Sequence, residues 1–129
     1  MLVALTVGAV IAAVAVAVLV DRGGSGAAPR AAGLPAFVPD AARRGLAPAF
    51  EAAARESRVP VTLVMALAWR ESQWTENLVS GAGAVGIGQL LPPTSVFVAQ
   101  ELLHDPRLDP RRPVDNIRLT ARYLGELIH

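Results

Sequence analysis

Cysteine and lysine are absent from this 129-residue chain, and histidine occurs only twice. Because disulfides and thiolate metal sites are excluded without cysteine, the fold must hold by packing alone. The two histidines, His104 and His129, lack the spacing of metal ligands and have no cysteine partners. We therefore expect neither a metal site nor another cofactor.

Neither positive nor negative charge is in clear excess, since 12 arginines are balanced by 11 acidic residues, for a formal net charge of +1. Phosphate binding requires a clustered basic surface that displaces counterions. No such cluster stands out, which argues against nucleic acid as a partner. No stretch shows the alternation expected of a β-strand either, so the expected fold class is all-α.

The N-terminal segment contains the longest apolar run, in which residues 2–20 are interrupted only by Thr6 and Gly8. As a helix this run roughly spans a hydrocarbon core of about 30 Å. It exceeds the apolar region of a signal peptide, about 7–15 residues, and no basic residue precedes it. We predict that residues 1–20 form a single-pass membrane anchor. The alternative is a signal segment cleaved near Ser25-Gly26-Ala27, which would release a secreted protein.

Residues 21–39 are rich in glycine, alanine and proline and predict a flexible linker. The rest of the chain, residues 40–129, is the predicted domain. Helices are expected at residues 40–58, 61–72, 92–103 and 114–129. Gly45 and Pro48 weaken the first half of the first helix, and residues 80–88 contain four glycines, which predict a loop with unusual backbone freedom.

One acidic residue stands on an apolar helix face. On a helical wheel, Leu63, Leu67 and Glu71 share one face, with Val64 and Ala68 beside them. Desolvation and the partial negative charge of the helix C-terminus both raise the pKa of a carboxyl in this place. Glu71 is therefore a candidate proton donor near neutral pH. The alternative is a frayed terminal residue paired with an arginine such as Arg70.

Several short motifs follow one another from Arg58 onward and together resemble the soluble lytic transglycosylase (SLT) domain. The similarity to the Ser-x-x-Gly-Ala-x-Gly-Leu-Met-Gln signature of that family is the most specific of them. The matching residues are Glu71-Ser72, Ser80, Gly83-Ala84, Gly86-Ile87-Gly88-Gln89, Leu91-Pro92-Pro93-Thr94, Pro113, Asn116-Ile117 and Tyr123-Leu124.

The resemblance implies a lysozyme-like helical fold that acts on the glycan strands of peptidoglycan. Glu71 would be the catalytic acid that cleaves between N-acetylmuramic acid and N-acetylglucosamine, leaving 1,6-anhydromuramic acid ends. Ser80 and Gln89 would contact Glu71 or the sugar, unless they serve hydrogen bonds within the loop. A single acid suffices in this family, because the sugar's own 2-acetamido and 6-hydroxyl groups are thought to replace a second carboxylate.

The location of the substrate also bears on orientation. Polymerised peptidoglycan lies outside the membrane, so the resemblance implies a domain that faces the periplasm or the extracellular side. Arg22 and Arg30 follow the apolar run, and a positive-inside reading would place the domain in the cytoplasm instead. We give the location of the substrate precedence over the positive-inside reading, and we expect the domain outside the cytoplasm. The sequence carries no indication of an oligomeric state.

The sequence departs from the family pattern at three points. Gly88 stands where methionine is common and Thr120 where glycine is common, and we expect both exchanges to be tolerable. The chain ends at His129, before the Ala-Tyr-Asn motif whose tyrosine helps to position the glutamate in relatives, so we expect a C-terminally incomplete domain. Two alternatives remain open, a goose-type lysozyme-like hydrolase and a non-catalytic, membrane-anchored glycan-binding module.

Trp74 would either stack on sugars or pack in the core.

Overall fold

The computed structural model describes residues 41–129. The predicted anchor and linker, residues 1–39, and the expected N-cap Asp40 lie outside this part of the chain. The helices are α1 Ala41–Arg44, α2 Ala47–Ser57, α3 Val61–Ser72, α4 Pro92–Phe97 and α5 Pro113–Ile128, and a π-helical segment, Val98–Leu102, continues α4. Within the described residues the only β-type pairings are isolated bridges, which confirms the all-α class there. None of the helices in this part of the chain is long and apolar enough to cross a bilayer.

Two of the expected helix boundaries are wrong. The single helix predicted up to Arg58 is broken at Gly45 and Leu46, and Pro48 lies in the first turn of α2, where its missing N–H is not needed. The helix expected over residues 92–103 is α-helical only to Phe97 and then widens into the π-helical segment. Short π-helical stretches insert a residue into an α-helix, and helical patterns in a sequence do not reveal them.

The main core lies between α2, α3 and α5. The predicted apolar face of α3 is buried, with Leu63, Val64, Leu67 and Ala68 at most 6% exposed. These side chains share one cluster with Phe50 and Trp74, and with Ile117, Ala121 and Leu124 of α5. A second, smaller cluster packs against α5 through Leu119; it consists of Leu90, Val98, Ala99 and Leu119.

Helices α2 and α5 approach each other closely because of Gly125. A Cβ added to this glycine would lie 2.9 Å from the Ser57 carbonyl oxygen, so only glycine fits against the end of α2. On the outer side the same pair of helices is joined by Arg118, whose guanidinium donates two hydrogen bonds to the Glu56 carboxylate at 2.8 and 2.7 Å. The packing of α2 against α5 thereby fixes the position of the two helices against which α3 packs.

Candidate active site

Glu71 occupies the last turn of α3, next to its final residue Ser72. Its side chain is neither fully buried nor free in solvent. Burial raises the pKa of the Glu71 carboxyl, and the positive charge of Arg70 offsets part of this effect. Because desolvation is the larger influence, the predicted direction of the pKa shift is confirmed. The alternative, in which pairing with Arg70 dominates, is not supported.

The chain leaves α3 through an unusual turn. Gln73 and Trp74 both have positive φ angles, 52° and 58°, in the left-handed region that residues other than glycine rarely adopt. We call these two residues the left-handed turn. The Gln73 N–H closes the last turn of α3 by donating to the Trp69 carbonyl oxygen at 2.8 Å, and the next residue, Trp74, is buried.

Trp74 is a core residue. Its side chain is 1% exposed, its indole Nε1–H donates to the Met65 carbonyl oxygen at 3.0 Å, and its ring centroid lies 4.7 Å from that of Phe50. The ring of Trp69 meets the indole of Trp74 edge-on, with 5.8 Å between the ring centroids. Sugar stacking by Trp74 is therefore excluded in this conformation, and the aromatic cluster instead fastens the segment that follows the acid.

Ser72 connects the end of α3 to the glycine-rich segment. Its hydroxyl lies 2.7 Å from the carbonyl oxygen of Ile87, to which it donates, and its oxygen accepts the Thr75 N–H at 3.2 Å. The side chain is buried, so this hydrogen bond is shielded from competing water. The residue next to Glu71 is thus bonded directly to the loop that contains the glycine-rich signature.

That loop is a double hairpin, formed by residues 79–90. Val85 pairs antiparallel with Val79 on one side and with Leu90 on the other. The first turn is closed by Ser80, whose backbone N–H donates to the Ala84 carbonyl oxygen at 2.9 Å and whose Oγ accepts the Ala84 N–H at 3.0 Å. The Ser80 side chain is partly exposed, so it serves the turn while one face stays open to solvent.

Gln89 closes the second turn of the double hairpin. Its φ of 50° is left-handed, its side chain is 6% exposed, and its Nε2 donates to the carbonyl oxygens of Leu78 at 3.1 Å and Gly86 at 2.9 Å. Among the described residues, neither Ser80 nor Gln89 forms a hydrogen bond with Glu71. Both side chains therefore have a structural role in the loop, and their predicted contact with substrate stays a prediction.

Asn116, on α5, holds the double hairpin in place. Its Nδ2 donates to the carbonyl oxygens of Val85 at 2.9 Å and Pro110 at 2.8 Å, and its Oδ1 accepts the Gly88 N–H at 2.7 Å. The residue is 1% exposed, so one buried amide satisfies three backbone groups that would otherwise lack partners. The sequence pattern identified Asn116 as part of a motif but did not predict its structural role.

Two glycines allow the hairpin to lie this close to α5. A Cβ on Gly86, whose φ is 73°, would lie 2.5 Å from the Asn116 Nδ2 and 3.0 Å from the Pro110 carbonyl oxygen. A Cβ on Gly88 would overlap the side chain of Thr120. The two departures from the family pattern, at Gly88 and Thr120, are thus in direct contact, and a small residue on the hairpin is matched by a larger one on the helix.

The site had two parts that the sequence did not assign, the bond from Ser72 to Ile87 and the threefold anchoring by Asn116. The motifs Glu-Ser and Pro-x-x-Asn-Ile contained both residues. Their separation along the chain, however, gave no sign that they meet the same loop, because the spacing of motifs does not determine tertiary contacts.

Among the described residues, Glu71 is the carboxyl whose pKa is raised by burial, and its neighbour Ser72 is bonded to the glycine-rich double hairpin. An all-α domain with such a carboxyl is suited to general acid chemistry. Comparison with known proteins gives this class a family. The model of the transglycosylase SLT domain matches residues 48–129, and the chain belongs to that family. The helical architecture of the described residues is consistent with the lysozyme-like fold that the resemblance implies.

One curated relative supports the assignment. A protein of Haemophilus influenzae named "Putative soluble lytic murein transglycosylase" is 36% identical over 80 residues, which make up 60% of this chain and 14% of that protein. This chain therefore corresponds to a small fraction of the relative's length. No solved structure gives a significant match.

Proposed function

We propose that this domain is a peptidoglycan lytic transglycosylase in which Glu71 is the catalytic acid. The observation that carries the proposal is the placement of Glu71 at the partly buried end of α3, where desolvation raises the pKa of its carboxyl. Membership of the transglycosylase SLT domain family and the name of the Haemophilus influenzae relative support the same reaction class.

The proposed reaction proceeds in two steps. The protonated Glu71 carboxyl donates its proton to the glycosidic oxygen, and the bond from that oxygen to C1 of N-acetylmuramic acid breaks. N-acetylglucosamine leaves with a free 4-hydroxyl. The 6-hydroxyl of the muramic acid then attacks C1 and loses its proton to the Glu71 carboxylate, which restores the acid and leaves a 1,6-anhydro end. Atoms and charge balance without water or a cofactor.

The double hairpin is the proposed substrate-binding element. Ser80 is partly exposed at its first turn, and the Gln89 side chain is already held by two backbone carbonyl oxygens. A side chain fixed in this way loses little conformational freedom when it meets a ligand, which favours binding. In this proposal Ser80 and Gln89 contact the glycan strand, and residues 1–20 anchor the domain on the outer side of the cell membrane. Signal cleavage and secretion is the alternative for the N-terminal segment.

Replacement of Glu71 by Gln is the direct test. The variant keeps the size of the side chain and removes the transferable proton, so cleavage of purified sacculi should fall about 10²–10⁴-fold while folding is retained. Glu51→Gln is the matched control, because Glu51 is an exposed residue of α2. Undiminished cleavage by Glu71→Gln would remove this residue from the mechanism.

Mass spectrometry of the released fragments identifies the reaction type. Anhydro ends are lighter than reducing ends by one water, and the proposal requires anhydro ends. Predominantly reducing ends would assign the domain to the goose-type hydrolases. The second carboxylate would then be sought with the variants Glu76→Gln, Glu101→Gln and Asp105→Asn. Binding of glycan strands with no cleavage by the wild type would support the non-catalytic module.

A further inference from the structure

The left-handed turn after Glu71 is held from two directions. On its inner side Trp74 is buried and bonded to the Met65 carbonyl oxygen, and the Gln73 N–H is bonded to Trp69. On its outer side the carbonyl oxygen of Gln73 accepts a hydrogen bond at 2.8 Å from the Nε–H of Arg43. This outer contact joins residues 30 positions apart in the chain.

The Gln73 carbonyl group is well suited to accept from such a donor. It belongs to the C-cap of α3, where carbonyl groups lack helical partners and carry partial negative charge. A guanidinium group matches both requirements, because it supplies a donor and a positive charge. Two consecutive residues in the left-handed region persist only where the surroundings determine their conformation, and Arg43 completes those surroundings.

Arg43 lies outside the part of the chain that the family model covers, which begins at residue 48. It is held in place by the helical turn α1 and by the hydrogen bond from the Leu46 N–H to the Arg43 carbonyl oxygen at 3.1 Å. Leu46 is 9% exposed and belongs to the main core. The segment before the family domain is therefore anchored well enough to place Arg43 against the end of α3.

We propose that Arg43 is a positioning residue for Glu71, acting by holding the Gln73 carbonyl group and thus the last turn of α3. This inference rests on the proposed function, since it assigns Arg43 a part in the reaction of Glu71. Helix ends fray when their capping contacts are lost, and Glu71 lies two residues before Gln73. Without Arg43 the acid samples conformations in which its proton is not aimed at the glycosidic oxygen.

The test compares Arg43→Met, Arg43→Lys and the control Arg55→Met in the full 129-residue chain. Arg55 is an exposed arginine of α2, so its replacement changes the net charge equally. We expect Arg43→Met to lower kcat about tenfold or more on sacculi, while KM changes less than about twofold, because misplacement of a catalytic group affects the transition state rather than binding. Arg43→Lys retains a charged donor and should recover most of the loss, whereas Arg55→Met should behave as the wild type.

Amide hydrogen exchange gives a second readout that does not depend on activity. Exchange of the Gln73 and Thr75 amides should be faster by about tenfold in Arg43→Met, with the core amides of α5 unchanged. Wild-type kcat in Arg43→Met would overturn the proposal, even if exchange were faster, because the contact would then be structural alone. If the wild-type chain released no anhydro ends, the proposed function would fail, and unchanged exchange would separately refute the contribution of Arg43 to the turn.

Discussion

The contact between Gly88 and Thr120 predicts a severe effect from a single added methyl group. In Gly88→Ala the new Cβ would overlap Thr120 Oγ1 and lie 2.8 Å from Cγ2 and 2.9 Å from Cβ of the same side chain. Thr120 cannot rotate away without losing the bond from its hydroxyl to the Asn116 carbonyl oxygen at 2.7 Å. The hairpin cannot retreat either, since the Gly88 N–H is bonded to Asn116 Oδ1.

The magnitude follows from these two constraints. Overpacking of a well-packed site costs about 1–3 kcal/mol, and one lost hydrogen bond adds about 1 kcal/mol. Gly88→Ala should therefore lower the free energy of unfolding by about 2–4 kcal/mol. For a domain of this size each kcal/mol lowers Tm by about 4–8 °C, so we expect a fall in Tm of roughly 8–32 °C.

Thermal unfolding followed by circular dichroism measures this effect. Gly81→Ala is the matched control, because no atom lies within 4 Å of a Cβ added to Gly81. Thr120→Gly removes all three clashing atoms, and in the double variant it should recover part of the lost stability, with a coupling energy of about 1–3 kcal/mol. The reasoning is refuted if Gly88→Ala melts like Gly81→Ala, or if the two substitutions are additive.

Two further predictions concern Glu71 and Asn116. Because burial places the pKa of Glu71 above its value in the unfolded chain, folding takes up a proton, and the wild type loses stability as pH rises through the raised pKa. Glu71→Gln should then be more stable than the wild type at neutral pH and lose this advantage in acid, as measured by urea unfolding against Glu51→Gln; a pH-independent difference would contradict the assignment. Asn116→Asp keeps the shape but turns the donor toward Val85 and Pro110 into an acceptor, so it should cost about 2–5 kcal/mol, whereas Asn77→Asp, an exposed change, should cost under about 0.5 kcal/mol in the same assay. Equal midpoints for the two Asp variants would show that the amide does not anchor the hairpin.

The helices of the described residues were largely predictable, because each depends on local features. The apolar face of α3 and the position of Glu71 on it follow from residues three and four apart, and both are confirmed. The break before α2 was indicated only by the low helix propensity of Gly45 and Pro48. The π-helical segment left no sign, since its extra residue is accommodated by packing against α5 rather than by local preference.

The internal geometry of the site was less accessible. Glycines in residues 80–88 indicated a loop, but the pairing of Val85 with both Val79 and Leu90 arises from turn geometry that alternation does not show. The exchange between Gly88 and Thr120 illustrates the same limit. Each departure from the family pattern is neutral on its own in the sequence, and only the structure shows that the two residues are in contact.

The anchoring by Asn116 also sets the order in which the site can form. The hairpin contacts of this residue join positions 28 and 31 apart in the chain, and contacts of this separation form only after the entropy of loop closure has been overcome. During synthesis, residues 61–90 are joined to the chain before Asn116. The helix that carries Glu71 can therefore form early, while the loop beside it waits for α5. A chain stalled before residue 116 should therefore lack the anchored hairpin, so the candidate site is completed only after α5 has been made.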